Sequence, residues 1–262
     1  MAIKDYIQER IARGQKMFAV LVDPEKADAS RLDALCPLIN NGQPDFIFVG
    51  GSTGSQIEEA VRALRQRTSV PVVLFPGNVS QFTPSADALL VLSLLSSRNP
   101  EFLIGAQVRA ARAIQDSGID TLSVGYILVD GGRASSVQRA TGSEPLSAAD
   151  DIVDTAVAAE LLGFQSVYLE AGSGAKTPVA ATVIEQVRRR LRIPLFVGGG
   201  IRTPEQMLEA YRAGADIVVV GNHFESHPEQ IPLFCQSLVS RASDRPKRSA
   251  GKNRKSSIRK YD

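Results

Sequence analysis

The stretch Leu195-Phe196-Val197-Gly198-Gly199-Gly200-Ile201-Arg202-Thr203-Pro204, followed by Ile217-Val218-Val219-Val220-Gly221-Asn222, decides how this chain folds. A short apolar, β-branched run ends in glycines, and Thr203-Pro204-Glu205 then opens a helix with a cap, a first-turn proline and an acidic residue. Gly214 closes that helix, and a second apolar run again ends in glycine. This is a strand, a crossover helix and a parallel strand, with both strands apolar enough to be covered on both faces. Similar runs precede it at 18–22, 46–49, 71–75, 88–92, 121–127 and 166–169, which with 195–197 and 217–220 makes eight. Asp28 or Ser30 can cap a helix carrying Leu32, Leu35 and Leu38, while Gly118 and Gly163 follow helices that begin near Phe102 and Ser147. Eight strand and helix units predict a single α/β domain over residues 1–240, a (β/α)8 TIM barrel, with an open doubly wound sheet as the alternative.

A chain of 262 residues with 44% hydrophobic residues can bury one large core. Its two cysteines, Cys36 and Cys235, have apolar neighbours and no CxxC spacing, so they read as reduced core residues of a cytoplasmic protein. The charged N-terminal segment lacks the apolar core of a secretory signal, and no run is long enough to span a bilayer. From Arg241 to Asp262 nine Lys or Arg face two acidic residues, a local charge of +7 against +2 for the whole chain, which leaves −5 for the rest. The segment 241–262 therefore reads as a disordered basic tail able to make weak peripheral contact with an anionic membrane, and the acidic body argues against a specific nucleic-acid partner.

Most residues with chemistry to offer directly follow the expected strands, and in a barrel these positions converge on one face. Gly199 and Gly200 after the seventh strand, with Gly221 and Asn222 after the eighth, leave backbone N–H groups open to an anion, the recurring barrel phosphate site. Tyr168-Leu169-Glu170-Ala171-Gly172-Ser173-Gly174 is the most specific segment. Strand alternation sends Tyr168 and Glu170 to one side and Leu169 to the other, which places a phenol beside a carboxylate that can take a substrate proton. The plainer reading pairs Glu170 with Lys176 or Arg202. Asp23 and Ser52 offer hard oxygens from neighbouring strands, enough for magnesium when substrate phosphate and water complete its shell, although Asp23 can equally cap the following turn. His223 and His227 lack a ligand-spaced acidic partner and read as surface or capping residues. Residues 129–145 form the longest irregular stretch and read as a lid.

Taken in order, LVDPEK (21–26), FVGGST (48–53), LFPGN (74–78), SLLSSRNPEFLIGAQ (93–107), GYILVDGG (125–132), YLEAGSGA (168–175), VGGGIR (197–202) and VVGNHFE (219–225) resemble the successive motifs of geranylgeranylglyceryl phosphate synthases across residues 5–240. The resemblance implies a Mg2+-dependent prenyltransferase of phospholipid biosynthesis that joins geranylgeranyl diphosphate to sn-glycerol 1-phosphate through an ether, releasing diphosphate. It assigns glycerol phosphate to Tyr168, Leu169, Glu170, Ala171, Gly172, Ser173, Gly174, Gly199, Gly200, Gly221 and Asn222. It assigns Mg2+ to Asp23 and Ser52, general-base catalysis to Glu170 and a supporting catalytic role to Tyr168. Assembly as a homo-oligomer is expected. Three other readings stand beside this one: a synthase for a longer prenyl chain, a phosphosugar isomerase or lyase on the same barrel, and a noncatalytic binding protein that keeps the phosphate cradle.

Overall fold

The computed structural model describes residues 2–51, 56–78 and 80–243, with side chains to residue 238. Helix α1 (Ile3–Ala12) leads into β1 (Met17–Val22), α2 (Ala29–Gly42), β2 (Phe46–Val49), α3 (Ile57–Arg65), β3 (Val72–Leu74) and β4 (Ala88–Leu94). Then follow α4 (Ala106–Ser117), β5 (Asp120–Leu128), α5 (Ser136–Thr141), α6 (Ala149–Leu161), β6 (Ser166–Glu170), α7 (Ala181–Arg190) and β7 (Leu195–Gly198). The chain continues through α8 (Pro204–Ala213), β8 (Ile217–Val220), α9 (Asn222–Ser226) and α10 (Ile231–Ser243). All eight strands pair in parallel and in sequence order, and β8 returns to β1 with Met17 opposite Ile217 and Val20 opposite Val220. This closure removes the open sheet.

Period-two alternation separates two apolar layers. Inside the barrel lie Ala19, Phe46, Phe48, Tyr126, Tyr168 and Phe196, with Ile3 and Ile7 of α1 packed against this interior. Residues one step away, such as Phe18, Ile47, Leu169 and Val197, face the helices instead. The interior is largely aromatic. Ring contacts run from Tyr6 and Phe46 through Phe48, Phe75 and Phe196 to Tyr168 and Tyr126, with centroids 5.2–6.3 Å apart.

The helix ends follow the capping signals. Asp28, rather than Ser30, caps α2 by accepting from the Arg31 amide at 2.9 Å, and Thr203 caps α8 by accepting from the Gln206 amide. Gly118 ends α4 at φ 67°, where a left-handed residue terminates the turn. Cys36 and Cys235 are buried and unpaired. No described helix is long and apolar enough to cross a membrane. Helix α10 continues to Ser243, past the expected domain end at residue 240; the basic segment 244–262 lies outside the described residues.

Three departures from the expected repeat shape the site. Among the described residues no helix lies between β3 and β4, because Pro76-Gly77 and Pro84 interrupt that connection. The outer surface of β4 therefore lacks the helix that a regular third unit would supply. Second, the segment entering α4 is a wide π-helical turn, Glu101–Gly105, and α4 itself buries none of its residues, so it packs only loosely on the sheet, touching β4 through the bond from Gln107 to the Leu92 carbonyl. Third, the 129–145 stretch is not wholly irregular: Ser135 accepts from the Gln138 amide at 3.0 Å and nucleates the short helix α5.

At the opposite end of the barrel from the glycine loops, Asp216 ties strands to helix. Its carboxylate accepts from the Leu195 amide at 3.0 Å and Arg188 at 2.9 Å, and lies 3.3 Å from the Lys16 ammonium. Asp216→Ala leaves the buried Leu195 amide without its acceptor and removes one of the three acceptors of Arg188, so a loss of about 1–3 kcal/mol in urea unfolding is expected. A midpoint equal to the parent's would show that water replaces the carboxylate.

Candidate active site

The glycine loops open into a cavity of about 520 Å³ at the C-terminal ends of the strands. Its walls are chemically divided. One side presents Asp23, Lys26, Glu170, Arg202 and the backbone of the glycine loops; the other presents Phe82, Leu89, Val91, Phe102 and Ile114. The apolar side exists because the third unit lacks its helix and α4 packs only loosely on β4. Val137 and Ala140 of α5 complete the wall, so the expected lid contributes to the cavity through a helix.

At the centre is Glu170, the last residue of β6 and only 6% exposed. Its Oε1 accepts from the Gly172 amide at 2.7 Å, and the Tyr168 and Tyr126 phenols lie close to the carboxylate. Burial pushes this carboxyl from its ordinary 4.5 up to about 7, although the Gly172 amide and both phenols favour the ionised form. The same burial, followed by the charge of Glu170, raises both phenols well above their usual range, so they remain donors. No ion pair to Glu170 occurs among the described residues. The Arg202 guanidinium instead donates to the carbonyls of Ala175, Lys176 and Gly200, which disposes of that pairing.

The loops around Glu170 fit an anion. The N–H groups of Gly199, Gly200 and Gly221 donate to no protein acceptor among the described residues. Gly199 and Gly200 adopt φ of 82° and 72°, and a Cβ on Gly200 would come within 2.7 Å of the Thr177 carbonyl oxygen. Glycine is needed there for conformation and for space. Ser173 Oγ donates to Asn222 Oδ1 at 2.9 Å, joining the loop after β6 to the one after β8. Leu169 points outward into the helix layer, so of the YLEAGSG segment it can serve a ligand only through its backbone.

Together these features form a carboxylate base beside a cradle of unpaired amides, and the sequence comparison places the same residues within a known family. The profile of the PcrB family matches residues 7–236. The chain belongs to the PcrB family. It is 45% identical to the geranylgeranylglyceryl phosphate synthase of Flavobacterium johnsoniae over 86% of this chain and 94% of that one. It is 44% identical to the enzyme of the same name from Spirosoma linguale over 86% and 95%. Among solved structures, (S)-3-O-geranylgeranylglyceryl phosphate synthase from Thermoplasma acidophilum in complex with sn-glycerol-1-phosphate superposes with a TM-score of 0.84 at 32% identity, covering 91% of this chain and 98% of that one.

Not every expected site residue of this PcrB-family chain enters the described cavity. Asp23 does, at the end of β1: Oδ1 accepts from the Glu25 amide at 3.1 Å, so it caps the turn, and Oδ2 lies 3.7 Å from Lys26. Lys26 in turn pairs with Glu225 at 2.6 Å. Ser52 lies outside the described residues. His223 lines the cavity, with its Nε2 2.9 Å from Gln230 Oε1, and His227 lies 3.5 Å from Glu229. Two residues that line the cavity beside Tyr168, Tyr126 and Phe75, are not singled out by the sequence reading. Both touch Tyr168, with ring centroids at 5.2 and 5.3 Å. Alternation along β5 sends Tyr126 inward; its pairing opposite Tyr168 requires the strand register.

Proposed function

We propose that this chain joins geranylgeranyl diphosphate to sn-glycerol 1-phosphate through an ether bond and releases diphosphate. The observation that carries this reading is the placement of Glu170 between unpaired glycine amides and an apolar cavity. A polar phosphate ester with a free hydroxyl and a long hydrocarbon chain need those two environments on either side of one base.

In this reading the ester's phosphate lies on the amides of Gly199, Gly200 and Gly221, and its hydroxyl faces Glu170. The prenyl chain fills the apolar side between β4 and α4. The bond from the allylic carbon to diphosphate breaks, the hydroxyl oxygen bonds to that carbon, and the hydroxyl proton passes to Glu170. A base with a pKa near 7 is ionised in about half the molecules at neutral pH and remains strong enough to accept this proton. Holding both reactants removes the entropic cost of their encounter, and the cavity keeps water from the allylic centre.

Asp23 fits a hard cation: it is a carboxylate on the cavity wall with one oxygen carrying a single amide bond and the other bonded only loosely to Lys26. It would hold Mg2+ together with Ser52, and the bound ion would neutralise the leaving diphosphate. Lys26, paired with Glu225 and 3.7 Å from Asp23, stands at the same end. Asp23→Asn is expected to raise the magnesium concentration needed for half-maximal turnover by about tenfold or more, because an amide lacks the charge that holds the ion. Superimposable magnesium titrations of variant and parent would remove Asp23 from the ligand set. Assembly as a homo-oligomer and weak membrane contact through the basic tail belong to the same proposal.

Purified protein incubated with Mg2+, labelled sn-glycerol 1-phosphate and allylic diphosphates of several lengths, followed by lipid extraction, tests the reaction directly. Ether product is expected with the geranylgeranyl donor. Product only with a longer donor would move the assignment to a longer-chain synthase, and no ether product with any donor would overturn it.

A further inference from the structure

We propose that His223 is a further binding residue of the acceptor site: as an imidazolium it donates through Nδ1 to the phosphate that the glycine amides hold. The inference deepens the function proposed above and rests on glycerol phosphate occupying that cradle. His223 is half-buried on α9, directly after Asn222, and lines the same cavity as Gly199, Gly200 and Gly221. Packing and one hydrogen bond hold its ring. Phe224 and Phe234 lie against it with centroids at 5.6 and 5.9 Å, and Nε2 is 2.9 Å from Gln230 Oε1. An amide oxygen can only accept, so Nε2 carries the hydrogen of that bond and the tautomer is set. Nδ1 has no hydrogen-bond partner among the described residues.

A phosphate monoester carries a charge of about −1.5 to −2 at neutral pH, and backbone amides set only partial charges against it. Glu170 places a carboxylate in the same cavity. A full positive charge with a free donor is what the cradle still needs. Three basic side chains line the cavity among the described residues: Lys26, Arg202 and His223. Lys26 pairs with Glu225 at 2.6 Å and lies 3.7 Å from Asp23, at the end assigned to diphosphate. Arg202 donates to the carbonyls of Ala175, Lys176 and Gly200. His223 keeps an unused ring nitrogen, two residues past the Gly221 amide.

The charged groups around the ring leave this role to an incoming anion. On its own helix, Glu225 is engaged by Lys26. From the turn after α9, His227 packs at 5.1 Å and stands 3.5 Å from Glu229, while α10 presents the uncharged Phe234. Asp23 and Lys26 reach the cavity from the end of β1, Glu170 from β6 and Arg202 from the loop after β7. No carboxylate pairs with His223 among the described residues, so a phosphate oxygen at Nδ1 is the counter-charge that stabilises its imidazolium.

The chain has two histidines, so labelling with 15N-histidine gives the signals of two rings, and His227→Gln shows which belong to His223. At neutral pH, adding sn-glycerol 1-phosphate or inorganic phosphate to the parent should move the His223 Nδ1 signal towards the imidazolium position and leave His227 in place. His223→Phe keeps a ring in the same packing and removes both nitrogens. It is expected to weaken glycerol phosphate binding about tenfold in calorimetry, the effect of one lost charge-assisted hydrogen bond, and to raise KM for that substrate far more than it lowers kcat. A His223 signal that responds to neither phosphate would overturn the proposal, as would one that responds only to pyrophosphate with Mg2+, which would place His223 at the donor end. Equal affinity in a folded His223→Phe would overturn it as well; should that variant not fold, the signals of the parent still decide. If the parent forms no ether product, the reaction assignment fails, while a His223 response to inorganic phosphate still supports the phosphate contact.

Discussion

Glu170→Gln is expected to lower kcat by about a hundredfold or more while leaving glycerol phosphate binding largely intact. The amide has nearly the shape of the carboxylate and can still accept from the Gly172 amide, so the loops that form the cradle have no reason to move. What it lacks is the ability to take a proton. The same substitution should not weaken the fold. Because the folded pKa of about 7 lies above the ordinary 4.5, Glu170 favours folding fully below pH 4.5, and that contribution is lost as pH rises through 7. Above pH 7 the buried charge costs on the order of 3 kcal/mol, part of which a neutral glutamine recovers. At pH 8 the variant should therefore unfold at a denaturant concentration equal to or above the parent's. Low turnover with undiminished stability would identify Glu170 as a base held in place against the fold's preference. Full turnover would remove it from the mechanism, and a large loss of stability would make it structural.

Much of this arrangement is legible in the amino-acid sequence, and the limits follow from the range of each signal. The placement of Tyr168 and Glu170 on one face needs only the period of a strand, which is local. The cradle needs only the order of strands and the glycines that end them. Burial of Ile217-Val218-Val219-Val220 on both faces is readable from its uninterrupted β-branched run. The repeat itself misleads at its third unit: eight strands suggest eight covering helices, yet Pro76, Gly77 and Pro84 argue against one between β3 and β4. Helix α5 is six residues long, too short for periodicity to reveal, and its one clear signal is the Ser135 cap. Tyr126 is hidden for another reason. Its partner is set by the register of β5 against β6, which depends on the whole barrel and on no neighbouring residue.

The second large effect is expected at Gly199. A Cβ there would overlap Glu170 Oε1 and lie 2.6 Å from the Gly172 nitrogen and 2.9 Å from the Ala171 nitrogen. No flexible side-chain end absorbs that contact, since two of the three atoms are backbone and the third belongs to the base. Gly199→Ala should thus push the carboxylate off the Gly172 amide and distort the amides of the cradle, lowering kcat by about a hundredfold or more and weakening glycerol phosphate binding. It also forces alanine to adopt a φ of 82°, which costs about 1–2 kcal/mol anywhere in a protein. Gly163→Ala separates the two effects. Gly163 has a similar φ of 87°, but nothing lies within 4 Å of its missing Cβ, and it follows α6, away from the cavity. Both variants should lose stability in a urea titration, whereas only Gly199→Ala should lose turnover. Equal losses of turnover would trace the defect to backbone strain transmitted through the barrel, while full activity in Gly199→Ala would mean that the loops after β6 and β7 can separate without cost and that the tight packing around Glu170 is not what makes it a base.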